Sequence, residues 1–339
     1  MSILVTGGTG FIGSHTVVEL LNKGYSCVLV DNLSNSKKEV VGKIENMTNK
    51  QVKFYQIDLL DLENFERIFT ENKIEGVIHF AGLKAVGESV ADPLKYYENN
   101  LVSTLNLLKL MKKYFVKKLI FSSSSTVYGD ASVPMTEISH VGNGITNPYG
   151  RTKYIIELIL RDGCMSDKDL QIIALRYFNP VGAHPSGLIG ENPNNIPNNL
   201  MPFVTKVAFQ NNSNTFLGEV YKEVKIFGND YKTIDGTGAR DYIHVVDLAQ
   251  AHVLAYENLE KGYDVINLGT GRSTTVLELI KTYESINSVI IPYKFVERRD
   301  GDNDESYCCP KKAKEKLGWV AQKSIADMCR DSWKFAKKK

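Results

Sequence analysis

Four residues near the middle of the chain have the types and the order that acid/base chemistry on a hydroxyl group requires. Ser124 and Thr126 stand in the run Ser122-Ser123-Ser124-Ser125-Thr126; Tyr149 follows, with Lys153 four residues further on. A Tyr and a Lys at i and i+4 share one face of a helix, so the ammonium can favour the phenolate and hold a hydroxyl of a second molecule at the same time. Such a phenolate can remove the proton of a carbinol while Ser124 or Thr126 donates a hydrogen bond to the same oxygen. The chemistry implied is oxidation of an alcohol, or its reverse, with Tyr149, Lys153 and Ser124 as the catalytic set. The same spacing recurs at Tyr114/Lys118, Tyr221/Lys225 and Tyr307/Lys311, so context has to choose. Tyr114 falls at a helix–strand junction, Tyr221/Lys225 runs into the apolar pattern Val224-Lys225-Ile226-Phe227, and Pro310 interrupts the last pair. Tyr149/Lys153 alone follows a turn, Asn147-Pro148, and opens a helix.

Such a reaction needs a hydride acceptor, and the N-terminus supplies a place for one. Thr6-Gly7-Gly8-Thr9-Gly10-Phe11-Ile12-Gly13 lies between a short apolar strand and a helix, and satisfies G-x-G-x-x-G at Gly8, Gly10 and Gly13 as well as a second spacing at Gly7, Gly10 and Gly13. Glycines there permit a tight turn and let backbone amides approach a pyrophosphate at the positive helix end. Asp31 ends the second apolar run, where a carboxylate can bind both hydroxyls of an adenosine ribose. Its charge would repel a 2'-phosphate, and no Arg follows in Asn32-Leu33-Ser34-Asn35-Ser36. NAD is therefore the expected cofactor. Asp58 and Leu59 follow the third strand and can hold the adenine; Phe80-Ala81-Gly82 after the fourth offers a close-approach backbone.

These residues need elements to position them, and the first half of the chain alternates strand and helix patterns. Ile3-Leu4-Val5, Cys27 to Val30, Val52 to Ile57, Gly76 to Phe80, Lys118 to Phe121 and Leu170 to Leu175 read as strands with helices between them. That predicts an α/β fold, a doubly wound parallel (Rossmann) sheet. Past Tyr177 the alternation weakens and Asn and Pro crowd positions 191–199. We expect a dinucleotide half over 1–178 and a smaller, loop-rich α/β substrate half over 179–339, some of whose segments return to the first; Val265-Ile266-Asn267-Leu268 before Gly269 reads as one more strand.

Composition bounds the partners. The 339 residues are 43% hydrophobic and 24% charged, with 41 Lys plus Arg against 39 Asp plus Glu. A net charge of +2 provides no field that argues for nucleic acid or an anionic membrane. No run reaches the roughly 18 apolar residues of a membrane span and no basic leader precedes Ile3, so a cytoplasmic protein is expected. The five cysteines and six histidines form no C-x-x-C and no H-E-x-x-H, so neither a disulfide framework nor a metal is expected.

With both sites placed, the chain resembles the extended short-chain dehydrogenase/reductase family over nearly its whole length, in particular the branch that inverts C4 of UDP-hexoses. The resemblance rests on long strings: the glycine turn through Thr16, His79-Phe80-Ala81-Gly82-Leu83-Lys84-Ala85-Val86-Gly87-Glu88-Ser89, Asn147-Pro148-Tyr149-Gly150, Leu175-Arg176-Tyr177-Phe178-Asn179-Pro180, Ile196-Pro197-Asn198-Asn199-Leu200-Met201-Pro202 and Gly238-Ala239-Arg240-Asp241-Tyr242-Ile243-His244-Val245. It implies that the 4-hydroxyl of UDP-glucose or UDP-galactose is oxidised, the 4-keto sugar turns in the pocket, and the hydride returns to the other face. It further implies that Tyr149 is the acid/base and Lys153 binds the nicotinamide ribose. Phe11, Ile12, Asp31 to Ser36, Asp58, Leu59, Phe80 and Lys84 would line NAD, with Asn99, Tyr177 and Phe178 near its nicotinamide half. The UDP-sugar would meet Lys84, Ser124 to Thr126, Tyr177 to Asn179, Asn198 to Leu200, Lys225 to Phe227, Arg240, Arg299, Asp302 and Ser306. Planar guanidinium groups at Arg240 and Arg299 suit a diphosphate.

Three departures from the family pattern stand out. Ser125 occupies a position where Ala is common. Extra residues around Leu217 to Glu223 precede the strand expected at the uracil. Ser306 falls where relatives carry either a bulky aromatic or a small residue, and a small one leaves room for an N-acetyl group, so UDP-GlcNAc/UDP-GalNAc exchange is expected as well. A shift of one residue would put Tyr307 there instead. Two other readings compete: a nucleotide-sugar 4,6-dehydratase, which needs an added acid and base that Thr126-Val127-Tyr128 lacks, and a non-catalytic NAD-binding regulatory protein, which should have lost part of Ser124, Tyr149 and Lys153. From Pro93 to Tyr114 apolar residues occupy two helix faces, Leu94, Leu101, Leu105 and Leu108 on one and Leu107, Leu110 and Tyr114 on the other. One face can cover the sheet and the second can meet a partner helix, as in the family's homodimer.

Overall fold

The computed structural model describes every residue except Asn195, Asn214, Asp300 and Lys339. Its first half runs β1 (Ser2–Thr6), α1 (Phe11–Asn22), β2 (Cys27–Asp31), α2 (Glu39–Thr48), β3 (Lys53–Gln56), α3 (Leu62–Glu71), β4 (Ile74–His79), α4 (Val86–Ala91), α5 (Pro93–Tyr97), α6 (Ser103–Lys113), β5 (Lys118–Ser122), α7 (Pro148–Ser166) and β6 (Gln171–Tyr177). The strands are short apolar runs because both faces of a parallel sheet are covered. Side chains alternate accordingly. Ile3, Val5, Leu29, Ile78 and Ile120 pack with α1 on one face, and Leu4, Val28, Val77, Leu119 and Phe121 pack with α3, α6 and α7 on the other. Each fully buried aliphatic or aromatic side chain of this kind is worth about 1.5–3 kcal/mol.

The second half continues with β7 (Asn179–Val181), α8 (Leu200–Asn212), β8 (Val224–Phe227), β9 (Ala239–Arg240), β10 (Tyr242–His244), α9 (Val245–Glu257), β11 (Gly262–Leu268), β12 (Thr274–Thr275), α10 (Val276–Asn287), β13 (Tyr293–Val296), β14 (Glu305–Ser306), α11 (Lys311–Leu317) and α12 (Ile325–Lys337). The main sheet has seven parallel strands in the order β11-β6-β5-β4-β1-β2-β3. The order reverses between β1 and β4, which opens a crevice at the strand C-termini. The strand read at Val265 to Leu268 is β11, and it returns to the sheet beside β6, while α9 packs on α1. A separate core joins α8, α10, α12 and β8 through Val204, Val207, Leu279, Tyr283, Met328 and Trp333.

One expected element differs. The helical pattern from Pro93 to Tyr114 is broken into α5, a π-turn at Glu98–Val102 and α6. Asn99 and Asn100 sit in the wide turn, and Asn is a poor helix former whose side chain competes for backbone groups. Asn100 Oδ1 accepts from Leu83 N–H at 2.8 Å, and its Nδ2 donates to the Leu83 carbonyl and to Thr152 Oγ1, both at 3.0 Å. The turn thereby ties the loop after β4 to α7.

Candidate active site

The crevice widens into a cavity of about 1840 Å³, roughly twice the upper size of a single small-molecule site. Its floor at one end is the glycine turn. Gly7 has φ of 66°, and a Cβ on Gly13 would lie 2.2 Å from the Gly7 carbonyl oxygen, so the turn closes only with glycine at both positions. Helix α1 begins at Gly10 with no side-chain cap and no acidic residue in its first turn. Its amides are left for an anion, the setting that a pyrophosphate requires.

Asp31 lies at the lip of this turn. Oδ2 accepts from Thr9 N–H at 3.2 Å, and Oδ1 accepts from Leu33 N–H and Ser36 Oγ, both at 2.9 Å. Asn32 Nδ2 donates to Asp58 Oδ2 at 2.9 Å. Gly7, Gly10 to Gly13, Asp31, Asn32, Ser34 to Ser36, Asp58, Leu59 and Phe80 to Gly82 all line the cavity. Leu33, expected on the cofactor with its neighbours, is not among the residues that line the cavity. It takes φ of 61°, and its backbone serves Asp31. The cradle and the uncapped helix fit a dinucleotide.

Helix α7 carries the candidate pair Tyr149 and Lys153. Asn147 caps it by accepting from Gly150 N–H at 2.8 Å, with Pro148 in the first turn, an arrangement worth about 1 kcal/mol. Tyr149 and Lys153 are both buried against the end of β5. Burial raises the pKa of Tyr149 above that of an ordinary tyrosine, while a hydrogen bond with Ser124 and the charge of Lys84 pull it back. Lys84 is a cation whose charge bears on the phenol; Lys153 Nζ donates to the Ser122 carbonyl at 2.8 Å and sits 4.8 Å from the Phe121 ring centroid. Burial pushes Lys153 down to about 8, with Glu157 acting to raise it.

Above this pair Thr126 Oγ1 is buried with no hydrogen-bond partner. Thr126 borders the cavity, and a buried hydroxyl there calls for a polar partner. Ser124, Ser125, Lys84, Asn99 and Tyr177 to Asn179 border the same space, as do Asn198 to Leu200. Lys84 Nζ and Asn199 Nδ2 converge on Glu191 Oε1, at 2.9 and 2.6 Å, and Glu191 Oε2 is itself buried without a partner. Glu191 was not picked out in the sequence, since its setting in an Asn/Pro-rich loop carries no local signal.

The far end is built by the second half. Arg240 Nη1 donates to the carbonyls of Ala239 and Asn303 at 2.9 and 3.0 Å, and Nη2 to Asp302 Oδ1 at 3.3 Å. The Arg299 guanidinium lies 3.8 Å over the Phe227 ring. Both arginines line the cavity with Asp302 and Lys225 to Phe227. The extra residues also reach it, through Glu219, Val220, Lys222 and Glu223. Tyr221 anchors them, buried 5.4 Å from the Phe203 ring, with Lys206 Nζ donating to its hydroxyl at 3.1 Å. Ser306 lines the wall and Tyr307 is not part of it; β14 pairs with β9 so that Ser306 stands beside Arg240. Among the described residues no group of three or more His, Cys, Asp or Glu could hold a metal ion.

A doubly wound sheet with a glycine cradle at the switch point and a Ser-Tyr-Lys set beside it defines an enzyme of the NAD-dependent short-chain class. The model of the NAD dependent epimerase/dehydratase family matches residues 3–269. The chain is 54% identical to the UDP-glucose 4-epimerase of Bacillus subtilis (strain 168) over 338 residues, 99% of this chain and 96% of that one. To the UDP-glucose 4-epimerase of Dictyostelium discoideum it is 52% identical, over 98% of this chain and 95% of that one. The solved UDP-glucose 4-epimerase of Bifidobacterium longum, in complex with NAD+ and UDP, superposes with a TM-score of 0.94 at 52% identity, covering 100% of this chain and 98% of that one. The chain belongs to the NAD dependent epimerase/dehydratase family and, within it, to the UDP-glucose 4-epimerases, which are NAD-dependent isomerases.

Proposed function

We propose that the protein interconverts UDP-glucose and UDP-galactose by inverting C4 of the hexose. The observation that carries this reading is the convergence on one cavity of an anion-ready glycine turn, the Ser124-Tyr149-Lys153 set and the orphan hydroxyl of Thr126. NAD, bound over Gly7 to Gly13 and Asp31, supplies a hydride acceptor that can return the hydride within the same turnover. Tyr149 takes the proton from the sugar 4-hydroxyl at its phenolic oxygen and gives it back at the end. Ser124 holds that phenol, Thr126 Oγ1 takes a hydrogen bond from or to the sugar, and Lys153 holds a ribose hydroxyl. Lys84 adds positive charge toward the phenol. Arg240 and Arg299 clamp the diphosphate, and Lys225 to Phe227 border the base. Because Ser124, Tyr149 and Lys153 lie in the dinucleotide half and the arginines in the other, 1–178 would hold NAD and 179–339 the UDP-sugar.

We further propose that UDP-GlcNAc and UDP-GalNAc are exchanged. Ser306, not Tyr307, borders the cavity, which leaves the volume that an aromatic ring would fill. The protein would act in nucleotide-sugar metabolism in the cytoplasm; among the described residues no helix is long and apolar enough to cross a membrane. A homodimer is proposed through the outer face of α4 to α6, where Val90 and Leu94 are 60% and 77% exposed.

One experiment tests the reaction: incubation of the purified protein with UDP-galactose and no added NAD, with identification of the sugar. UDP-glucose is the expected product, and a dehydrated keto sugar overturns the reading. In the same assay UDP-GlcNAc should yield UDP-GalNAc; no turnover of it by a protein active on UDP-galactose removes the proposal about Ser306.

A further inference from the structure

The three consecutive serines at the end of β5 are each gripped by a residue from one stripe of α7. Tyr149 hydrogen bonds with Ser124, Lys153 donates to the carbonyl of Ser122 at 2.8 Å, and Ser123 Oγ donates to Glu157 Oε1 at 2.5 Å. Tyr149, Lys153 and Glu157 follow at i, i+4 and i+8, so they line up along one face of the helix. The first two belong to the proposed reaction. The third has been given no part in it.

Glu157 is only 5% exposed, and Arg176 of β6 closes on it from the other side, with Nε 3.0 Å from Oε1 and Nη2 2.6 Å from Oε2. That guanidinium in turn lies 4.9 Å over the Tyr128 ring, whose hydroxyl donates to Asn267 Oδ1 at 2.6 Å. Removing two charges from water is costly, and a buried pair of this kind adds little stability over an apolar filling of the same volume. An explanation other than stability is therefore called for, and the position of the carboxylate suggests one.

We propose that Glu157 is a positioning residue for the acid/base pair: it locks the Ser122 to Ser124 tract in register with α7 and sets a negative charge beside Lys153. The inference rests on the proposed reaction only for its kinetic consequence. A slip of the tract would move the Ser122 carbonyl from Lys153 and Ser124 from Tyr149 together, because both contacts are made by neighbours of the one residue that Glu157 holds. The titratable and charged groups around Lys153 are Tyr149 and Glu157 on its own helix, His79 from β4, Lys84 from the loop after β4, and Arg176 and Tyr177 from β6. Burial keeps His79 neutral, with a pKa lowered to about 3, and Glu157 is the group that acts to raise Lys153 against its burial. Without that carboxylate Lys153 gives up its proton at lower pH.

The test uses competitive acetylation by acetic anhydride across a pH series, read on the Lys153 peptide by mass spectrometry, beside the pH profile of kcat with UDP-galactose. In Glu157→Gln the acetylation midpoint and the basic limb of kcat are both expected at lower pH than in the parent, with KM for UDP-galactose within about twofold. Should Glu157→Gln fail to fold because Arg176 is left unpaired, the double variant Glu157→Gln/Arg176→Met buries no lone charge, and shifts in the same direction are expected, smaller because loss of the Arg176 cation acts the other way. A folded variant of either kind whose Lys153 midpoint coincides with the parent's overturns the proposal, whatever its melting temperature. The acetylation readout needs no turnover, so a parent that fails to epimerise UDP-galactose condemns the proposed reaction without deciding this inference.

Discussion

The phenol of Tyr149 is buried, and burial opposes the phenolate that proton removal requires. What offsets it is a hydrogen bond with Ser124 and the positive charge of Lys84, to which a bound nicotinamide would add a further positive charge. The proton-transfer role is tested by Tyr149→Phe, which removes one oxygen and keeps the ring. Turnover of UDP-galactose should fall by about 10²-fold or more, the usual worth of a general acid/base, while UDP binding measured by calorimetry is retained; full activity in this variant would remove the mechanism. At this scale the candidates Ser124, Tyr149, Lys153 and Asp31 stand out in the sequence by type next to a strand end or a helix start, and the fold brings all four to one cavity. The charge that Lys84 exerts on the phenol was not readable. Lys84 is 65 positions from Tyr149 in the chain, and its loop is held by Asn100, which ties Leu83 to α7, and by the Tyr96 hydroxyl, which accepts from Ala85 N–H. Leu33, inside a run that lines the cavity, takes a left-handed backbone and turns its N–H to Asp31 Oδ1.

Helix α1 and its glycine turn show how an element depends on a missing side chain. A Cβ at Gly13 would meet the Gly7 carbonyl at 2.2 Å and the Gly7 carbonyl carbon at 3.0 Å, both backbone atoms, whereas a Cβ at Gly42 in α2 meets nothing within 4 Å. Gly13→Ala should therefore lower stability by about 1–3 kcal/mol as overpacking does and should lose NAD on gel filtration, read as the loss of cofactor released on denaturation. Gly42→Ala, by contrast, should gain about 0.5–1 kcal/mol from helix entropy and keep its cofactor. Unfolding in urea separates the two; equal NAD retention in both variants would contradict the cradle. The alternation of strand and helix was legible because apolar period and glycine punctuation are local properties. The break at Glu98–Val102 was not, since the widened turn exists to let Asn100 reach Leu83 and Thr152, which are distant in sequence.

For the whole molecule the open question is what covers the face of α4 to α6. Leu107 and Leu110 are buried on the sheet side, and Val86, Val90, Leu94, Val102 and Leu105 lie exposed; Leu101 and Leu108, expected on the outer face with Leu94 and Leu105, instead pack half-buried against the sheet-side core, because the π-turn breaks the helix between Leu94 and Leu105. If that outer face joins two copies, Leu94→Asp should shift the protein from dimer to monomer in sedimentation equilibrium, with the monomer's fold intact by circular dichroism; a parent that sediments as a monomer sinks the homodimer. The sequence by itself determined the sheet class, the cofactor and the choice of Ser124, Tyr149 and Lys153 as the candidate set, because each rests on contacts between near neighbours along the chain or on a residue type that few other roles explain. Tertiary structure decided the rest: that β11 returns to the sheet beside β6, that Glu191 links Lys84 to Asn199, that Ser306 and not Tyr307 borders the cavity, and that Glu157 holds Ser123 beside the Ser122 carbonyl to which Lys153 donates. Those outcomes depend on strand register and on side chains that meet across the fold, and neither property is written in the spacing of one segment.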